Sequence, residues 1–306
     1  MNAGSRFRAA VASLSLAASL VVVNCSQHTQ VGRDYATPNG GAANGGSSAA
    51  GSGTAGSSGD AAPPHQCQIT ACQNKVYQCG DCIDNDDDQR FDSDDPECTG
   101  PCDNTEDSYF GGIPGQNNAP CREDCYFDQD TGSGNDQCYW HQGCDPLSVA
   151  PDFPPSGDAQ CGYDPGMVVP GSGSTCAELS AVQSGMCASA CLPITPNGCD
   201  CFGCCELPAD SGQFVWIGSA TKNEGTCDAA HVSDPSACHP CTPVPSCFNR
   251  CEACEICVGR TAPSPDCATP SVNRCPPSQA ACGQPGEADC AAGYYCITGC
   301  CAEAPR

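Results

Sequence analysis

The chain is poor in the large aliphatic side chains from which most protein cores are built. Among 306 residues, Leu, Ile, Val and Phe together number only 37, and they form few runs beyond the first 25 residues. A parallel β-sheet buried on both faces needs near-continuous runs of such residues, so this composition excludes an intracellular enzyme of that fold class. The stability of a folded part must come from elsewhere.

Basic residues are also scarce, because 11 Lys and Arg stand against 36 Asp and Glu, for a net charge of −25. Nucleic acids and anionic lipids have the same sign, so we expect neither as a partner. High charge with few apolar residues is typical of disordered chains. The 33 cysteines argue against disorder here, because covalent cross-links can replace a missing core.

Signatures of common enzymes are missing. The chain contains no H-E-x-x-H, no G-x-S-x-G and no phosphate-binding G-x-x-x-x-G-K sequence. Carboxylate pairs abound, but where acidic residues are this dense a pair has little diagnostic value. We therefore expect no enzymatic activity, with a secreted hydrolase that uses acidic residues as an open alternative.

The first 25 residues have the proportions of a secretory signal peptide. A basic start precedes an uncharged apolar stretch of 15 residues, 9–23, which is shorter than the about 20 residues needed to span a bilayer. Residues 22–25 (VVNC) resemble a bacterial lipobox, in which the cysteine is lipidated and becomes the mature N-terminus. Asn24 departs from the small residue preferred there. The resemblance implies lipidation of Cys25 and a lipid anchor in the outer membrane or cell surface.

The number of cysteines bears on this prediction. An ordinary signal peptide, cut for instance after Ser19, would leave all 33 cysteines in the mature chain. An odd number of cysteines in a secreted protein needs an explanation. Lipidation of Cys25 leaves 32, enough for sixteen disulfides without a remainder. This parity favours the lipoprotein.

Composition divides the rest of the chain into three parts. In 26–65, 23 of 40 residues are Gly, Ala or Ser, which predicts a disordered, flexible tether. Between Asp81 and Asp164 lie 21 acidic residues against two basic ones, and beyond this segment the charge is nearly balanced. We therefore expect an acidic Cys-containing module at 66–165 and a Cys-rich module stapled by disulfides at 166–306.

Few segments have the pattern of regular secondary structure. The best helix candidate is 176–191, where Leu179, Val182 and Met186 fall on one face and Thr175 with Glu178 forms a capping box. The run 213–217 (QFVWI) predicts a short strand. The predicted fold class is small and disulfide-rich: mostly irregular loops with short strands and one or two short helices, in two stapled modules after the tether. The aromatic residues are expected to form the core; the main ones are Tyr109, Tyr126, Tyr139, Trp140 and Trp216.

The segment 84–95 (DNDDDQRFDSDD) has the oxygen pattern of a calcium loop. Its carboxylates occupy loop positions 1, 3, 5, 9 and 12, and position 7 would contribute a backbone carbonyl. The predicted ligands are Asp84, Asp86, Asp88, Arg90 through its carbonyl, Asp92 and Asp95. Repulsion among five like charges would be relieved by a divalent cation. The alternative is a solvated acidic turn that keeps the protein soluble.

The loop resembles that of thrombospondin type 3 repeats. The EF-hand fits less well, because Pro96, Gly100 and Pro101 oppose a long exiting helix. Gln89 departs from both families, which place Gly at the sixth position, so the backbone there is expected to be strained and the affinity weak. A second candidate for calcium, formed by Asp128, Asp130, Asn135 and Asp136 around two glycines at 132 and 134, has looser spacing, and a plain Gly/Asp turn is favoured there.

Five C-x-x-C pairs occur, and one set has nearly the spacing of a four-thiolate zinc site: Cys238, Cys241, Cys254 and Cys257. An exported chain enters an oxidising compartment, so disulfides are favoured over zinc or copper. The adjacent pairs Cys204-Cys205 and Cys300-Cys301 are expected to bond to different partners.

The lipobox, the Gly/Ser tether, the segment 79–98 and the Cys-rich remainder together resemble predicted surface lipoproteins of myxobacteria. The resemblance implies an exported protein of the outer membrane and brings no known activity. The sequence thus predicts a lipid-anchored, calcium-binding surface protein with a structural or recognition role, whose protein or glycan partner is unknown. A zinc- or copper-binding thiol protein stays open as an alternative.

Overall fold

The computed structural model describes residues 67–112, 121–130, 136–147, 162–221, 224–265, 267 and 274–306. The predicted signal peptide, the lipidation site Cys25 and the tether 26–65 lie outside the described residues. The described residues belong to one compact unit.

Disulfides hold this unit together. Every cysteine among the described residues is disulfide-bonded. The fifteen bridges with both ends described run as follows: 67–82, 72–102, 79–98, 125–191, 138–187, 144–176, 199–205, 201–247, 204–241, 227–238, 251–257, 254–267, 275–300, 282–296 and 290–301. The adjacent cysteines at 204–205 and at 300–301 do bond to different partners, as predicted. The small, disulfide-rich fold class is confirmed.

Regular structure is short and scattered among loops. In the described ranges the α-helices are α1 (Cys176–Ala181) and α2 (Gly185–Ala190). The strands are β1 (Ala71–Cys72), β2 (Lys75–Val76), β3 (Arg122–Glu123), β4 (Trp140–His141), β5 (Cys199–Asp200), β6 (Cys204–Glu206), β7 (Phe214–Trp216), β8 (Ala220–Thr221), β9 (Glu224–Gly225), β10 (His239–Pro240), β11 (Phe248–Asn249), β12 (Tyr294–Ile297) and β13 (Cys300–Glu303). Single 3-10 turns occur at Gln78–Gly80, Asp92–Asp94, Gln142–Cys144, Leu192–Ile194 and Pro245–Cys247.

The largest sheet among these strands is antiparallel and has the order β10-β7-β6-β5-β11. Its β7 is the strand predicted at 213–217. The other sheets are two-stranded ribbons, β1-β2, β3-β4, β8-β9 and β12-β13. Such small ribbons are marginal on their own, and cystines cross-link two of them, β1-β2 and β12-β13, to other segments.

The predicted helix 176–191 is interrupted in the structure. Thr175 and Glu178 form the expected capping box at the start of α1. At Val182 the backbone becomes extended, and Ser184 then caps α2 by accepting the N–H of Cys187. The predicted apolar face is therefore wrong. Leu179 is buried, but Val182 is 71 % and Met186 48 % exposed, because the break turns the second helix out of phase.

Cystines, aromatic rings and aliphatic side chains such as Leu207 and Ile217 together form the core. Tyr109, Tyr126, Trp140 and Trp216 are buried, and Tyr139 packs against the same core. This confirms the role predicted for the aromatic residues. Three of the disulfides, 125–191, 138–187 and 144–176, join residues on the two sides of residue 165, where the charge changes.

None of the helices within the described ranges has the length and apolar character needed to traverse a lipid bilayer.

Candidate metal centre

Disulfides frame the acidic loop 84–95. The bridge between Cys79 and Cys98 closes the segment that contains it, and the bridge between Cys67 and Cys82 fixes the chain just before it. No α-helix follows within residues 67–112, as predicted from the prolines. A loop closed in this way loses less entropy when it orders around a ligand than an open one does.

The first three predicted ligands fold onto the loop backbone. Asp84 accepts the N–H of Asp88 at 3.2 Å and that of Gln89 at 2.9 Å. Asp86 also accepts the N–H of Asp88, at 3.1 Å, and Asp88 accepts that of Arg90 at 2.8 Å. Partial burial is the largest cause that raises the pKa of Asp86, and the nearby charges of Asp88 and Asp84 raise it further. The structure therefore brings these three carboxylates together.

Asp95 adds a buried carboxylate to this group. It is 2 % exposed, its Oδ1 atom accepts the N–H of Glu97 at 2.7 Å, and its Oδ2 atom has no hydrogen-bond partner. Burial raises its pKa to about 7, and the charges of Glu97, Asp88 and Asp86 add to this effect. A buried, unpartnered carboxylate oxygen is costly unless a cation or a proton neutralises it.

Asp92 is held differently from the other predicted ligands. Its carboxylate accepts the N–H of Cys82, at 3.3 Å to Oδ1 and 3.1 Å to Oδ2. Its pKa is raised to about 7, first by burial and then by the charges of Glu106 and Asp81. In this structure Asp92 ties the loop to the preceding disulfide.

Glu106 is a part of the site that sequence reasoning missed. It is 1 % exposed, its Oε2 atom accepts the N–H of Asn85 at 2.7 Å, and its Oε1 atom accepts the N–H of Asp92 at 2.8 Å. One side chain thereby joins positions 2 and 9 of the loop. Glu106 lies 11 residues beyond the loop, so no spacing rule for a calcium loop could have found it.

Gln89 has the left-handed backbone that its position demands, with φ of +78°. For a residue with a Cβ atom, this conformation is strained by about 1–2 kcal/mol. Arg90, predicted to coordinate through its carbonyl, is exposed and follows directly.

The loop has the chemistry of a site for a hard cation. Asp84, Asp86, Asp88 and Asp95 offer only oxygen atoms, which calcium prefers. Among the described residues, no salt bridge involves a carboxylate of this loop; those that occur pair Asp210, Asp228, Glu287 and Glu303 with Arg or His. No ion pair in this part of the chain thus offsets the negative charge of the loop.

The structure describes only the two ends of the second acidic segment, because residues 131–135, which include the glycines of the predicted turn, lie outside the described ranges. Asp128 accepts the N–H of Asp130 at 3.0 Å, and Asp136 accepts that of Cys138 at 3.2 Å. Asn135 lies outside the described residues. Burial raises the pKa values of Asp128 and Asp136, and both carboxylates are themselves buried.

The predicted zinc ligands do not form a thiolate cluster. Each of the four cysteines bonds to a different partner: Cys238 to Cys227, Cys241 to Cys204, Cys254 to Cys267 and Cys257 to Cys251. Other groups of three cysteines lie close together, as at 187, 201 and 247, but all of these sulfur atoms are in disulfides as well. Cysteine coordinates zinc or copper as a thiolate, which a disulfide does not offer.

No protein family model, no curated protein and no solved structure matches this chain at a significant level.

Proposed function

We propose that this chain is an exported, lipid-anchored surface protein that binds calcium at the loop 84–95 and has a structural or recognition role. The observation that carries the calcium proposal is the unpartnered Oδ2 atom of buried Asp95, on a carboxylate close to Asp86 and Asp88. The proposed ligands are Asp84, Asp86, Asp88, Asp95 and the carbonyl of Arg90. Asp92 and Glu106 would hold the loop in shape.

The disulfides support export. Such a density of bridges forms and persists in oxidising compartments, outside the cytosol. Anchoring by lipid at Cys25 and residence in the outer membrane are the finer parts of the proposal, and they rest on the resemblance to a lipobox and on cysteine parity. The thiol-based zinc or copper alternative would require several of the observed bridges to be reduced.

The hydrolase alternative has weaker support. A cleft of about 330 Å³ adjoins the loop, and its only acidic lining residues are the neighbours Asp94 and Asp95. Acid–base hydrolysis of a glycosidic bond needs two carboxyl groups that flank the bond, whereas these two come from one wall. The cleft is also lined by Ile256, Val258 and Ile297, which suits contact with a partner.

The test is isothermal titration of the purified, oxidised chain with calcium. Asp84→Ala should remove the heat of one site, while Asp107→Ala, which removes an exposed carboxylate next to Glu106, should leave it unchanged. Magnesium should bind at least tenfold more weakly, because it demands compact octahedral geometry and keeps its waters. Equal heats for Asp84→Ala and Asp107→Ala would overturn the calcium site.

A further inference from the structure

A second group of carboxylates is buried around the turn after β3. Asp124 is 1 %, Asp136 2 % and Asp128 7 % exposed, and Asp130 lies at its partly exposed edge. Asp124 lies close enough to the other three carboxylates for their charges to act on it, so four acidic side chains meet where the protein excludes most water. Burial of even one unpaired charge is expensive, so such a group requires compensation.

Polar partners within the protein do not provide that compensation. Neither carboxylate oxygen of Asp124 accepts a well-formed hydrogen bond, although the N–H of Cys125 and the carboxyl groups of Asp130 and Asp136 lie near it. Oδ2 of Asp136 and Oε1 of buried Gln129 are also unpartnered. In the described part of the chain no Lys, Arg or His forms a salt bridge with any of these residues.

The spacing of these oxygens fits a calcium ion. A carboxylate oxygen of Asp128 and one of Asp136 lie within 4.8 Å of each other. Because calcium binds oxygen at 2.3–2.6 Å, two ligands on opposite sides of the ion are separated by up to about 5 Å. The Sγ atom of Cys125 lies within 4.8 Å of the same two oxygens. It is bonded to Cys191 in a disulfide, so it is not a ligand. The remaining donors are all oxygen atoms.

We propose that Asp124, Asp128, Asp130 and Asp136 form a second calcium site, with the amide oxygen of Gln129 as a further donor. This site shares no residue with the loop 84–95 and does not depend on the function proposed for it. The bridges from Cys125 and Cys138 to α2 and the residue after it hold the site against the helical part of the fold. Calcium here would therefore stabilise the part of the core that joins the two sides of residue 165.

The test counts calcium ions bound by the purified, oxidised full chain, by equilibrium dialysis and elemental analysis. We expect two ions for the wild type, one for Asp124→Asn and one for Asp84→Ala. The matched control is Glu123→Gln, which alters a carboxylate that is also buried but accepts a hydrogen bond from Gln142 through its Oε1 atom. This control should keep both ions.

Each outcome separates the two sites. Two ions retained in Asp124→Asn would overturn the second site and mean that the four carboxyl groups are neutralised by protons. If the wild type binds one ion, and this ion is lost in Asp124→Asn but kept in Asp84→Ala, the result would support the second site and overturn the calcium site proposed at the loop. If Asp124→Asn does not form its disulfides, Asp130→Asn at the partly exposed edge takes its place, with an expected tenfold or greater loss of affinity for one ion; unchanged affinity would contradict the proposal.

Discussion

The Oε1 atom of Glu106 lies 2.8 Å from the backbone nitrogen of Asp92, inside the protein. Its other carboxylate oxygen accepts the N–H of Asn85. A single buried carboxylate thus fixes two points, positions 2 and 9, of a loop whose own carboxylates repel one another. The acidic loop depends on a residue outside it for its shape.

Glu106→Gln should weaken the loop, because an amide keeps one acceptor oxygen and directs its NH₂ group at the other N–H. Hydrogen bonds to a charged group contribute roughly 1.5–3 kcal/mol each, so we expect a lower thermal midpoint and weaker calcium binding. Asp107→Asn is the control, since it makes the same change of charge at an exposed neighbour. Midpoints that are equal for the two variants would show that Glu106 does not hold the loop.

Gln89→Gly should tighten calcium binding at the loop. Glycine adopts the left-handed conformation without the strain of about 1–2 kcal/mol, which corresponds to roughly 5- to 30-fold in affinity. Ser93→Gly is the control, because Ser93 lies in the same loop without a positive φ. Titration calorimetry compares the two, and an affinity unchanged in Gln89→Gly would contradict the predicted strain.

Stability without calcium should fall as pH rises from 5 to 8. Burial raises the pKa of Asp103 to about 8 and that of Asp200 to about 7, against about 3.9 in the unfolded chain. The folded state then binds more protons than the unfolded chain does. The stability that these groups contribute is therefore complete at low pH and is lost as the pH rises through their folded-state pKa values. Thermal midpoints measured across this pH range in the presence of a calcium chelator check this prediction.

Asp103→Asn should flatten the pH profile, because it removes one of these titrating groups, whereas Asp107→Asn should leave its slope unchanged. A midpoint that rises between pH 5 and 8 in the chelated wild type would contradict the assignment.

Alkylation of the native protein without reductant should label no cysteine among the described residues. Each bridge contributes typically 2–4 kcal/mol by restricting the unfolded chain, and the apolar core is small. Reduction should therefore abolish cooperative unfolding. Reactive thiols at Cys238, Cys241, Cys254 and Cys257 would favour the zinc alternative instead.

Cys25→Ser should release the protein from the membrane into the soluble fraction. A single acyl chain gives only marginal membrane binding, so stable retention requires two or more. Mass spectrometry of the mature N-terminus checks this prediction directly. An unmodified N-terminus upstream or downstream of Cys25 would contradict the anchor.

Local features were predictable from the sequence, because each depends on neighbouring residues. The capping box of Thr175 and Glu178 and the strand around Val215 are examples. Composition likewise determined the class of fold, since a chain with 33 cysteines and few aliphatic residues has only cross-links to hold it. The strain at Gln89 followed from its position in the loop.

Only the tertiary structure decided which groups meet. The disulfide pairing, the clamp by Glu106 and the burial of Asp124 all join residues that are far apart or that sit in an unremarkable sequence context. The break at Val182 was also decided by tertiary structure. Gln183, just after α1, donates a hydrogen bond to the carbonyl of Tyr139, which is 44 residues away in the sequence. Helical periodicity and loop spacing describe contacts along the chain, and burial and cross-linking depend on contacts through space.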